Sequence, residues 1–310
     1  MWPHRALFAV VLVMTSLVSV SDAVPVAPET AVARDVKLDQ WEETHRAAAA
    51  SRPERALRKI VNGQVALTHE FPWQLDITPG YVNDGRRGAQ HRGVDLFFGV
   101  VNITNRRAPA SLAYGYSDAM HIRIHPKYKS AKETPPLTND IALIFLKKEV
   151  FLGESVCVDQ ERGIRPVPLP FESAKEIDGD TWRGADLAGI TSCHETGWGK
   201  TRKDRTGPGS ATLQKAKFQK LFKSKECTQA WAPQYPRLKI LREGELCSGS
   251  PREIKGQCAG DSGGPVVCEQ HGQTKLFGLV SYSLDIGQKA RCGNLGVVAD
   301  VRHHLQWIHE

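Results

Sequence analysis

Apolar residues occur along most of this chain in short runs rather than at helical spacing. From residue 60 onward these runs are separated by Gly, Pro, Asn and Asp, which is typical of strands joined by turns. The clearest of them are Gln74–Ile77, Val94–Phe98, Ile141–Leu146 and Leu276–Ser281. Only the last stretch has helical spacing, with Val301, Leu305 and Ile308 on one face. The pattern predicts an all-β barrel or sandwich that ends in a C-terminal helix.

The N-terminus departs from this pattern. Arg5 precedes an apolar run from Ala6 to Val20, which is followed by Ser21-Asp22-Ala23. A basic residue, an apolar run and a small-x-small site predict a signal peptide over residues 1–23. The run is shorter than the roughly 20 apolar residues that a membrane-spanning helix needs. We therefore expect a secreted, extracellular product without a membrane span.

Residues 24–59 form a second distinct segment. They are rich in Ala, Arg and Glu, contain no cysteine and have only scattered large apolar residues such as Trp41. Such a composition cannot bury a core. We interpret residues 24–59 as a pro-segment and residues 60–310 as the folded domain.

Composition narrows the function classes. The formal net charge of +7 is spread along the chain, which slightly favours acidic partners and gives no indication of nucleic-acid binding. Seven cysteines, all between Cys157 and Cys292, suit an oxidising compartment, and their spacing does not match a zinc site. The scattered histidines give no metal site either, and no cofactor is expected. Asn102-Ile103-Thr104 is a glycosylation sequon.

Candidate chemistry is concentrated in Gly260-Asp261-Ser262-Gly263-Gly264-Pro265. A serine hydroxyl is a poor nucleophile at neutral pH, so a hydrolase that uses one also needs a base and a group that orients the base. Four further motifs accompany this one. They are Arg58-Lys59 before Ile60-Val61-Asn62-Gly63, then Glu70-Phe71-Pro72-Trp73-Gln74, Asn139-Asp140-Ile141-Ala142-Leu143 and Gly197-Trp198-Gly199.

The order and rough spacing of these five motifs resemble those of the chymotrypsin-like (trypsin-fold) serine proteases, over about residues 60–310. The resemblance implies two six-stranded Greek-key β-barrels and a C-terminal helix. It assigns Ser262 as the nucleophile and Asp140 as the carboxylate that orients the base. The N–H groups of Gly260 and Ser262 would hold the oxyanion. A protein or peptide substrate and a monomeric state are expected.

The same resemblance implies that the chain is a zymogen. An activating protease would cut after Lys59 and free the amine of Ile60, which would pair with Asp261. The family pattern also selects three disulfides, Cys193–Cys268, Cys227–Cys247 and Cys258–Cys292. Cys157 is left over, either as a free thiol or as a partner for something outside the chain.

The specificity pocket is assigned to Gly256, Ser283 and Gly296. Relatives that cut after Lys or Arg carry an aspartate where this chain has Gly256, so a trypsin-like preference is disfavoured. Small residues at positions 283 and 296 predict room for an apolar or aromatic side chain, as in a chymotrypsin-like or brachyurin-like protease.

One part of the family pattern is missing. Relatives follow the Phe-Pro-Trp-Gln strand with a Cys-Gly-Gly-Ser-Leu-type strand and a Thr-Ala-Ala-His-Cys strand that delivers the general base. Here only the polar, glycine-rich and cysteine-free stretch Pro79–Gly93 separates Ile77 from Val94, which is typical of a loop. We therefore expect an N-terminal barrel truncated around residues 78–93, beside an ordered C-terminal barrel from about Gly179 to Val301.

No histidine replaces the missing base convincingly. His91, in Ala89-Gln90-His91-Arg92, is the only candidate near the right place, and it lacks the following cysteine. His125, in Ile124-His125-Pro126, matches a structural strand of the family. The remaining candidates are expected on the surface or in loops: His69, His121, His194, His271, His303 and His304.

Two hypotheses about function follow from the sequence. The chain is a secreted serine endopeptidase by lineage, inactive or severely impaired because exon skipping or an incomplete gene model removed its base-bearing segment. Alternatively, it is a non-catalytic serine protease homologue that binds or regulates a partner. The retained Ser262, Asp261, Asp140 and Lys59-Ile60 favour the first.

Overall fold

The structure is a computed structural model of the chain. It describes residues 10–13, 60–67, 70–83, 89–98, 100–105, 115–129, 138–146, 165–171, 184–202, 205, 207–233, 242–283, 292–293 and 295–310. The strands in these segments are β1 (Val10–Val13), β2 (Gln64–Val65), β3 (Leu75–Asn83), β4 (Ala89–Phe98), β5 (Gly115–Ile124), β6 (Ala142–Leu146), β7 (Ile190–Gly197), β8 (Gln214–Phe218), β9 (Glu245–Ser248), β10 (Pro265–Gln270), β11 (Gln273–Ser283) and β12 (Gly296–Asp300).

Two antiparallel sheets contain all of these strands. The N-terminal sheet has five strands in the order β1-β6-β5-β4-β3, and the C-terminal sheet has seven in the order β2-β8-β7-β10-β11-β12-β9. The C-terminal sheet closes on itself because Phe222, just after β8, exchanges backbone hydrogen bonds of 3.1 and 3.0 Å with Cys247 of β9. Closure makes a barrel of the six strands from β7 to β12, and a closed barrel has no free sheet edge.

All three predicted disulfides are confirmed in the C-terminal barrel. Cys193 of β7 bonds to Cys268 of β10, which faces it across the sheet. The other two bridges are Cys227–Cys247 and Cys258–Cys292. Cys157 lies outside the described residues.

The described helices are short. They are α1 (Ser224–Trp231), α2 (Leu305–His309) and two 3₁₀ turns, over Ile103–Asn105 and Val301–His304. The second 3₁₀ turn begins after Asp300, whose carboxylate accepts the N–H of Arg302 at 3.0 Å, a side-chain cap of the first turn. The C-terminal helical segment predicted from the spacing of Val301, Leu305 and Ile308 is thus confirmed. Neither described α-helix has the length needed to cross a bilayer.

The largest core cluster joins the two sheets. Ile141 immediately precedes β6 and Leu143 lies within it, and their exposed fractions are 0% and 1%. Both pack in one cluster with residues of the C-terminal barrel and of α2. The barrel and helix contribute Leu213, Val267, Leu276, Leu279, Leu305 and Trp307. Because Asp140 immediately precedes Ile141, this packing fixes the carboxylate against the C-terminal barrel.

The stretch predicted as a loop is a β-hairpin instead. β3 and β4 pair from Leu75 with Phe98 to Asn83 with Ala89, and a register shift lies between Pro79 and Tyr81. The loop prediction for Pro79–Gly93 was wrong for the paired residues of β3 and β4, because residues such as Tyr81 and Val82 favour strands. A local register shift lets the paired strands accommodate Pro79 and the glycines beside it.

The N-terminal sheet also contains a strand that the sequence did not predict. Val10–Val13, inside the predicted signal peptide, pairs antiparallel with β6, with Val13 opposite Ala142. The run is rich in β-branched valine, which favours strands. β1 therefore covers the edge of β6 next to Asp140. If the signal peptide is removed, that edge loses its partner and exposes unpaired N–H and C=O groups.

Removing residues 1–23 is expected to speed amide hydrogen exchange in Ala142–Leu146. Exchange should rise about tenfold or more, because one side of β6 loses its strand partner. Hydrogen–deuterium exchange mass spectrometry of the full and shortened chains measures this. Peptides from β10 in the closed barrel serve as the internal reference and should be unaffected. Unchanged protection of β6 would show that β1 does not pair with it in solution.

Candidate active site

The turn that carries Ser262 is held by backbone hydrogen bonds. The N–H of Asp261 donates to the carbonyl of Cys258 at 3.0 Å, and the N–H of Gly264 donates to that of Asp261 at 2.9 Å. The N–H of Gly263 donates to Val280 of β11 at 2.8 Å. The tight turn needs Gly260 at φ +94°, a conformation that side chains disfavour. Ser262 is half-buried at its tip.

Two N–H groups of this turn do not donate to a backbone carbonyl of the described residues. Among the described residues, the N–H groups of Gly260 and Ser262 have no backbone acceptor, whereas those of Asp261, Gly263 and Gly264 do. These are the two donors that the sequence assigns to the oxyanion. A pair of donors on one rigid turn suits a developing negative charge, since it needs no reorganisation during the reaction.

Asp140 lies at the entrance to β6 and is 1% exposed. Its carboxylate accepts the hydroxyl of Ser281 at 2.9 Å. The preceding Asn139 has φ +49°, and its side chain donates to the carbonyl of Lys127 at 3.0 Å, which stabilises the strained turn. Ser281 is a site residue that sequence reasoning missed in this role, because the contact joins residues 141 positions apart.

Asp261 is a buried carboxylate clamped by main-chain donors. Its oxygens accept the N–H groups of Gly199 and Cys258, each at 2.8 Å, and the residue is 3% exposed. A Cβ at Gly197 would lie 2.2 Å from its Oδ1, and one at Gly199 would lie 2.6 Å from its Cγ. The Gly-Trp-Gly motif therefore makes room for this carboxylate. Burial raises the pKa of Asp261 to about 7.

The start of the folded domain lies beside this region. Ile60 is 1% exposed, and the carbonyl of Val61 accepts the N–H of Gly256 at 3.2 Å. Val61 forms one apolar cluster with the Cys258–Cys292 disulfide. The structure thus brings the segment that follows the predicted cleavage site into contact with the loop that leads to Asp261. Lys59 lies outside the described residues.

A second buried carboxylate, Glu195 of β7, was missed by sequence reasoning. It is 1% exposed, and it accepts the N–H of Gln257 at 2.9 Å and the hydroxyl of Ser248 at 3.3 Å. Burial, followed by the negative charge of Asp261, raises the pKa of Glu195 to about 8. Its neighbours Thr196 and Gly197 gave no signal of an acidic site.

The residues assigned to the specificity pocket do come together, with Gln257 between them. The amide nitrogen of Gln257 donates to the carbonyl of Tyr282 at 2.8 Å and to the hydroxyl of Ser283 at 3.4 Å. A Cβ at Gly296 would lie 2.5 Å from Cδ of Gln257. The space expected for an aromatic side chain is therefore filled by Gln257, and an apolar guest would have to displace it.

The contacts given for the described histidine rings are with residues other than Asp140 and Ser262. The ring centroid of His125 lies 5.0 Å from that of His304 and 4.8 Å from that of Trp307. His194 packs against Phe71 at 5.9 Å. The rings of His271 and His303 lie against Gly189 and Gly244. The side chains of His69 and His121 lie outside the described residues.

His91 lies on β4, where it pairs with Tyr81, and its side chain is outside the described residues. β5 separates β4 from β6. Adjacent strands lie about 4.8 Å apart, so the backbone of His91 is about 10 Å or more from β6. This placement does not favour His91 as the base that Asp140 would orient.

Two other expectations concern the surface and metals. Asn102 is exposed, and its side-chain oxygen accepts the N–H of Thr104 at 2.9 Å, so its glycosylation stays a prediction. Within the described residues, no group of His, Cys, Asp and Glu side chains is arranged to hold a metal ion.

The candidate site therefore consists of the half-buried hydroxyl of Ser262, a pair of N–H groups suited to an oxyanion and the buried carboxylate of Asp140. Such groups are parts of the machinery for acyl transfer.

Comparisons with known proteins agree with this geometry. The sequence profile of the Trypsin family matches residues 99–308. Tissue-type plasminogen activator of Pongo abelii is 30% identical over 178 residues, which are 56% of this chain and 27% of that protein. Trypsin II-P29 of Gallus gallus is 27% identical over 81% of this chain and 88% of that protein.

The fold is also found among solved structures. Neuropsin, described as a serine protease expressed in the limbic system of mouse brain, matches with a TM-score of 0.55 at 22% identity. The match covers 81% of this chain and 98% of the neuropsin chain. The all-β architecture with a C-terminal helix is therefore confirmed.

The stability of the uncut chain is expected to fall as pH rises from 6.5 to 8.5. Asp261 and Glu195 have folded pKa values of about 7 and about 8, against 3.8 and 4.5 for the free side chains. The folded state therefore binds protons that the unfolded state has already released, and raising the pH removes this advantage. The loss should be about 2 kcal/mol of unfolding free energy.

Urea denaturation between pH 6.5 and 8.5 measures this loss. At pH 6.5 an unfolded histidine is still half protonated, so the lowered pKa values of His125, His194, His304 and His309 add a smaller, opposing rise that is largely complete by about pH 7.5. The double variant Asp261→Asn/Glu195→Gln should lose the fall and keep only this histidine rise. A wild-type stability that is constant or rises across the window would contradict the burial of these two acids in protonated form.

Proposed function

Because this chain belongs to the trypsin family of serine proteases, we propose that it is a secreted serine endopeptidase by lineage whose present sequence lacks the base. The observation that supports this most is the joint placement of Ser262, its two N–H donors and the buried Asp140. A peptidase needs these groups, and a protein that only binds a partner does not. We expect no useful peptidase activity from the chain as written.

The chemistry explains why the remaining groups are insufficient. For Ser262 to attack a peptide carbonyl, a bond forms from Oγ to the carbonyl carbon while the hydroxyl proton leaves. The N–H groups of Gly260 and Ser262 would receive the new oxyanion, but neither accepts a proton. Asp140 orients a base rather than serving as one. When a triad member is removed from an otherwise intact site, about 10³- to 10⁴-fold acceleration over water remains.

The edge of β6 supports the loss of a strand. The strand that begins two residues after Asp140 pairs on one side with β5 and on the other with Val10–Val13. A mature chain without its signal peptide would leave that second side open. An open position directly beside the orienting carboxylate is where a base-bearing strand would be expected. This supports the removal of one contiguous block between Ile77 and Val94.

The proposed zymogen mechanism rests on the position of Ile60 and Asp261. A cut after Lys59 would turn the N–H of Ile60 into an ammonium group beside the loop that carries the buried carboxylate. An ion pair would ionise Asp261 and fix the turn of Ser262. Secretion is supported by the three disulfides and the predicted signal peptide, since disulfides persist in oxidising compartments.

The second candidate function is a non-catalytic homologue that binds a protein or peptide through the surviving pocket and loops. It is favoured by one observation, the Gln257 side chain that fills the pocket. Both functions predict an inert Ser262, and they differ in whether the base-bearing block is encoded.

Ser262 is expected to resist an organophosphonate serine probe. Among the described residues no base accepts the proton of its hydroxyl, so labelling should be about 10³-fold slower or worse than in an intact protease. The measurement is intact mass spectrometry of the secreted chain after cleavage at Lys59. Ser262→Ala provides the background. Rapid stoichiometric labelling of wild type would overturn the proposal, and its loss in His91→Ala would identify His91 as the base.

Cleavage after Lys59 is expected to stabilise the protein at pH 8. The Ile60 ammonium group should offset the cost of burying an ionised Asp261, which raises Tm by several degrees. Thermal unfolding of cut and uncut chains measures the gain, and Asp261→Asn should abolish it. A gain of the same size in Asp261→Asn would show that the new amine pairs elsewhere.

A further inference from the structure

The buried carboxylate of Glu195 lies against Gly256, the position at which relatives that cut after Lys or Arg carry an aspartate. A Cβ placed on Gly256 would lie 2.6 Å from Oε1 of Glu195. This oxygen therefore fills the space in which a side chain at position 256 would begin. Glu195 lies on β7, 61 positions before Gly256 in the chain.

The carboxylate of Glu195 is not neutralised by a cation from the described residues. Its two donors among the described residues, the N–H of Gln257 and the hydroxyl of Ser248, supply one hydrogen bond to each oxygen. A carboxylate offers about four lone-pair sites, so it retains acceptor capacity. A buried acid without a counter-ion is costly, and a guest cation would recover much of that cost.

The wall above this acid is polar as well. Gln257 spans the pocket from its own backbone to Tyr282 and Ser283, and its Oε1 lies 3.4 Å from the hydroxyl of Ser248. The amide therefore covers Gly296, and the Ser248 hydroxyl links it to Glu195. An aromatic guest would have to break the hydrogen bonds of the Gln257 amide, and it could not replace any of them. A guest with N–H donors could instead donate to the acceptors that the amide leaves, the carbonyl of Tyr282 and the hydroxyl of Ser283.

We propose that Glu195 is a specificity-determining residue, which makes this pocket select a basic side chain over an apolar or aromatic one. The inference rests on the proposed function, because it takes the region that Gln257 fills beside Gly256, Ser283 and Gly296 as the place that receives a substrate side chain. The guanidinium or ammonium group of the guest displaces the Gln257 amide and donates to Oε1 of Glu195 beside Gly256. This preference is opposite to the one predicted from Gly256 alone.

The freed amine of Ile60 is the competing partner for this carboxylate. Val61 bonds to Gly256, so the new terminus would lie near the same loop. Asp261, however, is held by Gly199 and Cys258 on the side of the nucleophile turn. One ammonium group neutralises one carboxylate, which leaves Glu195 for the guest.

Binding of 4-aminobenzamidine tests the proposal without any catalytic step. The probe is a cation whose fluorescence reports binding, and 4-aminobenzamide is its neutral near-isostere. The full chain, secreted and cut after Lys59, is titrated with both at pH 8.5, where Glu195 is ionised. We expect the cation to bind about tenfold more tightly or better, the contribution of a charge-assisted hydrogen bond. Glu195→Gln should reduce this preference to about twofold or less.

Three further variants make the outcome decisive. Glu269→Gln removes the same charge from an exposed position of neighbouring β10 and should keep the preference. Glu195→Asp keeps the charge and should retain part of it. Gln257→Ser removes the side chain that fills the pocket and should strengthen binding of both probes while the cation stays preferred.

Equal binding of the two probes by wild type and by Gln257→Ser would overturn the proposal. So would a preference that survives in Glu195→Gln, because another group would then bind the cation. Neither result depends on a base or on Ser262. Failure of the specificity proposal is therefore distinguishable from failure of the proposed function, which the phosphonate probe tests.

Discussion

The buried carboxylate of Asp261 is the constraint around which this half of the molecule is organised. It accepts hydrogen bonds from Gly199 and Cys258, and these two residues belong to separate segments that the carboxylate ties together. Gly197 and Gly199 must lack side chains for it to fit. The turn of Ser262 follows directly, and the Cys258–Cys292 disulfide anchors the loop that precedes it. The buried carboxylate of Asp261 therefore holds in place the turn of Ser262, the N–H groups proposed for the oxyanion and the segment where the proposed new chain terminus would dock.

A second buried carboxylate in the same region, that of Glu195, adds to the cost of ionising Asp261. Glu195 and Asp261 are both buried, and each raises the cost of ionising the other. Cations relieve that cost, and the proposed function supplies two of them. The amine of Ile60 is internal and appears once on activation, whereas a basic substrate side chain is external and exchanges. In this view the zymogen holds its acids protonated, and activation and substrate binding each remove a proton.

Local pattern was enough to predict the strands around Ile77, Val94, Ile141 and Leu276 and the C-terminal helix, since their periodicity is visible within a few residues. The disulfides could be predicted only through the family resemblance, because cysteine spacing alone permits many pairings. The hairpin of β3 and β4 was missed, since glycine and polar residues in Pro79–Gly93 outweighed the strand preference of Tyr81 and Val82. Glu195, Gln257 and Ser281 were missed as site residues for a different reason. Their roles depend on contacts with residues distant in the chain, and no local signal marks them.

We propose that one contiguous block, carrying the base, is missing between Ile77 and Val94. If the predicted signal peptide is removed, the edge of β6 that β1 covers becomes a position for the strand of such a block beside Asp140, and the C-terminal barrel closes without that block. Sequencing the gene and its transcripts between the codons for these two residues tests this proposal. We expect an intervening exon that encodes a Cys-Gly-Gly strand and an Ala-Ala-His-Cys strand. Genomic codons that run without interruption from Ile77 through Pro79–Gly93 to Val94, with no such exon among them, would contradict it and favour a catalytically inert homologue.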